Sequence, residues 1–142
     1  MNKLNYGLIG CGAAGKVHAY HFSKHGAVNF VSISDTSLDA VGLFINLFNP
    51  ETKYFDYQNM LAKGNLNVIS ISTPPFFHKE QVLEAARRRT HILCEKPLAT
   101  TLQDAQLMVD ACNSSGVILG IMLPRRFYNN SQAVKKVIDS GE

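Results

Sequence analysis

Three short stretches carry residue types that could do chemistry. Cys94-Glu95-Lys96-Pro97 sets a carboxylate beside an ammonium, ahead of a proline that cannot extend a strand ladder. A lysine held there could donate to a hydroxyl or carbonyl oxygen and handle its proton as that carbon reacts. Gly10-Cys11-Gly12-Ala13-Ala14-Gly15 is a G-x-G-x-x-G. Its glycines suit a tight turn at Gly10, close approach of a pyrophosphate at Gly12 and close helix–strand packing at Gly15. Asp35 lies twenty residues beyond Gly15, where a dinucleotide-binding unit sets an acid against adenosine ribose hydroxyls.

These residues act together only if the elements between them bring them to one edge. The run 4–9 is a short apolar strand that feeds straight into the glycine loop, and a helix pattern follows from Lys16 to His25, ended by Gly26. Further strands are predicted at 27–33, 53–55, 67–72, 91–94 and 117–122. Between them lie helix patterns: one capped by Thr36 or Ser37 and running to about Leu47, then 57–63, 76–88, 101–115 with Thr101 as cap, and 130–140. Strict strand–helix alternation predicts an α/β fold, a doubly wound parallel sheet of six strands in the order 3-2-1-4-5-6, as one domain over residues 1–142. In such a sheet ligands gather at the carboxyl ends of the strands. The residues at those ends are Gly10 to Gly15, Asp35, Ser72-Thr73-Pro74, Glu95-Lys96-Pro97 and Pro124-Arg125-Arg126. His78 opens the helix after the fourth strand end and joins this set, with a local structural role expected rather than acid–base work.

Composition narrows the function classes. With 142 residues, 46% hydrophobic and 18% charged, the chain suits one globular domain. A net charge of +3 is mild, and Arg87-Arg88-Arg89 falls at a helix end where cations suit the dipole, so no nucleic-acid partner is expected. The three cysteines are odd in number and lack metal-type spacing, which suits reduced thiols and a cytoplasmic location. Cys11 and Cys94 are expected to pack rather than react. His18, His21 and His25 recur at i, i+3 and i+7, but nothing nearby completes a coordination shell, so no metal is expected. Neither a signal peptide nor a membrane span is read from the sequence.

Taken in order, these motifs resemble the N-terminal domain of the Gfo/Idh/MocA oxidoreductases (glucose–fructose oxidoreductase, inositol dehydrogenase, rhizopine catabolism protein). The matching stretches are GLIGCGAAGKVHA, STPPFFH, ILCEKPLATT, RRF and the terminal VKKVIDSGE. The resemblance implies a Rossmann domain in which Gly10, Cys11, Gly12, Ala13, Ala14 and Gly15 hold the pyrophosphate. It implies that Asp35 binds the adenosine ribose and favours NAD over NADP. Ser72, Thr73 and Pro74 would line the cofactor, the last two near its ribose and nicotinamide half. Glu95 would meet the nicotinamide ribose, Lys96 the reacting hydroxyl through a cis Lys96-Pro97 bond, and Arg126 the nicotinamide end or the substrate. The implied reaction moves a hydride between nicotinamide and a hydroxyl or ketone carbon of a sugar, cyclitol or related polyol. The sequence departs from relatives that continue R-F-x-P, having Asn129 in place of the proline. The resemblance further implies a second α/β domain, supplying an Asp and a His and most of any homo-oligomer contact, which this chain does not contain. The expectation is an incomplete, inactive fragment; the alternative is a non-catalytic NAD(P)-binding sensor.

Overall fold

The inner strands are rich in apolar residues, as parallel strands covered on both faces require, whereas the edge strand Thr52–Tyr54 is short and mostly polar. The computed structural model describes residues 3–141. Its strands are β1 (Leu4–Ile9), β2 (Val28–Ser34), β3 (Thr52–Tyr54), β4 (Val68–Ile71), β5 (His91–Glu95) and β6 (Leu119–Met122). They make one six-stranded sheet in the order β3-β2-β1-β4-β5-β6, every pair parallel, as the alternation predicts.

Six α-helices cross between or follow the strands: α1 (Ala13–Phe22), α2 (Leu38–Phe48), α3 (Tyr57–Lys63), α4 (His78–Arg87), α5 (Leu102–Ser115) and α6 (Asn129–Ser140). Local chemistry sets their ends. Ser37 Oγ accepts from Ala40 N and Thr101 Oγ1 from Asp104 N, each satisfying one orphan amide of a first turn. Asn49 and Gly116 close α2 and α5 in the left-handed region. Glu84 on α4 pairs with both Arg87 and Arg88, which accounts for most of the basic run.

Some boundaries differ from the sequence reading. α1 begins at Ala13, three residues ahead of Lys16, because Gly12 already serves as N-cap and accepts the Lys16 N–H. It ends at Phe22 with Ser23 as C-cap, so Gly26 lies in the following turn and closes nothing. A 3-10 turn over Pro75–Phe77 precedes α4, since proline at its first position has no N–H to give.

Period-two alternation sends the two sides of each strand into two cores. Tyr6, Leu8 and Ile33 pack with Ala19 of α1 and Val41 and Phe44 of α2. Ile9, Ile69, Ile71, Ile92 and Cys94 pack on the other face with α3, α4 and α5. Register aligns the carboxyl ends: Ile9 pairs with Ser34 and with Ile71, Ile71 with Cys94, and Glu95 with Met122. Every strand-end residue singled out above therefore lies along one rim. No helix among the described residues is long and apolar enough to cross a membrane.

Candidate functional site at the carboxyl rim of the sheet

The glycine loop is built by contacts that only glycine tolerates at two positions and by open space at the third. Gly10 has φ +97°, and a Cβ there would sit 2.8 Å from the Ser72 carbonyl carbon. A Cβ on Gly15 would land on the Gly10 carbonyl oxygen. A Cβ on Gly12 meets nothing within 4 Å. Gly10 and Gly15 thus serve the fold, whereas Gly12 leaves its approach clear. The backbone N–H groups of Gly12, Ala13 and Ala14 have no acceptor among the described residues, and the first turn of α1 carries no acid. That cradle fits a phosphate, to which free amides and the positive helix end are attractive.

Neighbouring strand ends lock the loop. The Ser72 hydroxyl lies 2.9 Å from the Gly10 carbonyl oxygen and 3.1 Å from that of Ile9, so it donates into the loop and not into the cleft. Cys11 N donates to Asp35 Oδ2 at 2.7 Å, and Ser37 N donates to Asp35 Oδ1 at 2.9 Å. Asp35 therefore braces the loop as well as facing the cleft. The Cys11 side chain turns into the core, where burial and then the Asp35 charge push its thiol up to about 12. Burial first, and next the Glu95 charge, push the Cys94 thiol up to about 12 as well. Both thiols stay protonated near neutral pH and are poor nucleophiles.

A cleft of about 370 Å³ opens beside the loop, lined by Gly10, Asp35, Thr73 and Pro74 together with Phe55, Tyr57, Phe77 and Gln81. Thr73 and Pro74, at the end of β4 between β1 and β5, line this cleft together with Asp35. Thr73 Oγ1 donates to Gln81 Oε1 at 2.6 Å. His78 is fully buried behind this rim. Its Nε2 lies 2.9 Å from the Thr73 carbonyl, and its Nδ1 lies 3.1 Å and 3.2 Å from the carbonyls of Pro97 and Leu98. It clamps two strand-end loops together from within the fold.

Farther along the rim, Lys96 lines a second hollow of about 420 Å³ with Leu123, Pro124, Arg125 and Arg126. The Lys96-Pro97 bond is cis. Lys96 and both arginines are exposed and make no ion pair among the described residues. Glu95 ends β5 just before Lys96, with one carboxylate oxygen 3.1 Å from His18 Nε2 and the other accepting Lys96 N at 3.1 Å.

Several of these residues were not singled out from the sequence. Phe55, Tyr57, Phe77 and Gln81 lie on four different segments, and of them only Phe77 falls within a matched stretch, STPPFFH. His18 was marked only by its spacing with His21 and His25, and its partners Ser70 and Glu95, 52 and 77 residues away, were not legible.

Comparison with known proteins agrees with the geometry. Residues 4–123 match the GFO_IDH_MocA family, described as "Oxidoreductase family, NAD-binding Rossmann fold". The chain is 27% identical to myo-inositol 2-dehydrogenase of Thermotoga maritima, over 97% of this chain and 41% of that protein. It is 32% identical to D-apiose dehydrogenase of Rhizobium rhizogenes, over 99% of this chain and 41% of that protein. The WlbA dehydrogenase of Bordetella pertussis, solved in complex with NADH and UDP-GlcNAcA, superposes with a TM-score of 0.92 at 33% identity, over 99% of this chain and 40% of that one. The chain thus spans about 40% of the length of the relatives it matches. Sheet order, glycine loop and matched residues agree, and the chain belongs to the Gfo/Idh/MocA oxidoreductase family as its NAD-binding Rossmann domain.

Proposed function

We propose that this chain binds NAD(H) along the carboxyl rim and is the cofactor-holding part of a dehydrogenase acting on a sugar, cyclitol or related polyol. The observation that carries the reading is the cradle at Gly12, where free amides and open space meet at the start of α1. The pyrophosphate would lie on Gly12, Ala13 and Ala14. Asp35 would accept from the adenosine ribose hydroxyls while keeping its bond to Cys11 N, and its charge would oppose a 2′-phosphate, favouring NAD over NADP. Thr73 and Pro74 would line the cofactor between the Asp35 cleft and Lys96, near its ribose and nicotinamide half. Glu95 would meet the nicotinamide ribose. When bound, the cofactor supplies a hydride acceptor or donor.

Lys96 would contact the substrate hydroxyl or carbonyl oxygen and hold or move its proton, with Arg126 beside it lining the same hollow. Homologous dehydrogenases of sugars and inositol support the substrate class. The remainder of the catalytic wall would come from a second domain outside these residues, and that domain would carry most contacts of a homo-oligomer.

Fluorescence titration of this chain with NADH, and with NADPH in parallel, tests the reading. The expected result is saturable NADH binding, at least about tenfold tighter than NADPH. Absence of saturation by either nucleotide would overturn it.

A further inference from the structure

On β4 and β5 successive side chains alternate between the two faces of the sheet. Ile69, Ile71 and Cys94 go to the face of α4 and α5. Ser70 and Glu95 therefore turn to the other face, the one α1 covers. There α1 presents His18, which is 2% exposed. His18 Nδ1 lies 2.9 Å from Ser70 Oγ, and Nε2 lies 3.1 Å from Glu95 Oε1. An ionised carboxylate only accepts hydrogen bonds, so Nε2 carries the proton and donates. Nδ1 is then free to accept the Ser70 hydroxyl. The second Glu95 oxygen accepts the Lys96 backbone N–H at 3.1 Å. The result is a directed chain, Ser70 to His18 to Glu95, that ends on the peptide carrying Lys96.

Helix-to-sheet packing alone does not call for an imidazole. Ala19 and Phe22 already supply apolar contact on the same helix face. An apolar side chain at position 18 would leave the Ser70 hydroxyl and a half-buried carboxylate without their partner, so the imidazole has a polar task. The Glu95 side chain is 17% exposed and stands at the strand end, where a ligand could reach it.

We propose that His18 is a positioning residue of the cofactor site: held in its Nε2–H form by Ser70, it fixes the Glu95 carboxylate for the nicotinamide riboside of the dinucleotide. This rests on the NAD(H) reading above. His18 does not touch the cofactor and acts only through Glu95.

Two substitutions separate positioning from packing. His18→Gln puts an amide near the Nε2 position and can still donate to Glu95. His18→Asn puts its amide near the Nδ1 position and reaches only Ser70. Both are titrated with NADH and with ADP, which lacks the nicotinamide riboside. The expected result is a loss of about tenfold in NADH affinity for His18→Asn, the scale of one charge-assisted hydrogen bond, with His18→Gln within about twofold of the parent. ADP affinity should be unchanged in both. NADH binding by His18→Asn equal to the parent, or equal losses of NADH and ADP in both variants, would overturn the proposal. Nitrogen NMR of the imidazole is independent of any ligand: the Nε2–H tautomer is expected, and an Nδ1–H tautomer would also overturn it. A parent chain that binds neither NADH nor ADP overturns the cofactor reading instead, and the tautomer still decides the His18–Glu95 arrangement.

Discussion

Glycine-to-alanine substitutions at Gly12 and Gly15 should separate cofactor binding from folding within one loop. At Gly15 alanine is the better helix former by about 1 kcal/mol. That gain is outweighed, because its Cβ would land on the Gly10 carbonyl oxygen, a backbone atom held by the Ser72 hydroxyl. Overpacking against atoms that cannot rotate away costs about 3 kcal/mol. The net loss is about 2 kcal/mol, or a fall in Tm of about 6 °C for a domain of this size. At Gly12 the added Cβ meets nothing within 4 Å, so sterics cost nothing. Exchanging an N-cap glycine for alanine costs no more than about 1 kcal/mol, or about 3 °C. The same methyl would occupy the approach to the free amides of α1, so NADH affinity should fall by at least about tenfold. Thermal unfolding followed by circular dichroism, paired with NADH fluorescence titration, reads both effects. A Gly12→Ala chain that binds NADH like the parent, or a Gly15→Ala chain that melts no lower, would refute the division of labour.

Other consequences follow from the same contacts. Asp35→Ser should raise NADPH affinity relative to NADH by about tenfold, and it should lower stability by about 2 kcal/mol because Cys11 N loses a charge-assisted bond; urea unfolding and paired titrations check both. Lys96→Ala, placed in a catalytically competent protein carrying this domain, should cut kcat by about 10²- to 10⁴-fold while the Kd for NADH holds; steady-state kinetics with a polyol panel is the measure. Cys11 and Cys94 should resist iodoacetamide at pH 8 in the folded chain and react once unfolded, as mass spectrometry can show. Their thiols are raised in the fold from 9.0 to about 12, so the stability tied to them is intact below about pH 9 and drains away as pH rises toward 12. Val134, Val137 and Ile138 on α6 and Phe127 before it are exposed apolar side chains, so the chain should self-associate at high concentration, as light scattering would report.

Much of the rim was legible because its determinants are local. The G-x-G-x-x-G needs a strand before it and a helix after it, and both patterns lie within twenty residues. Alternation of strand and helix, with right-handed crossovers, restricts the sheet to very few orders, and 3-2-1-4-5-6 is what forms. Helix caps at Ser37, Thr101 and Gly116 are equally local in cause. Gly26 misled because Ser23 has already ended the helix three residues earlier, leaving the glycine to the following turn.

Residue types and their order along the chain determined which side chains reach the rim: Asp35 after β2, Ser72 after β4, Glu95 and Lys96 at the end of β5. Which of them would touch was decided only by tertiary structure. That Asp35 braces the Cys11 amide, that His78 clamps Thr73 to Pro97, and that His18 grips Glu95 across 77 residues all depend on inter-element register. A hydrogen bond forms or fails within a few tenths of an ångström. Strand periodicity says which face a side chain takes, but the helix covering that face, and the turn of it that faces a given strand, follow from how the whole sheet is wound.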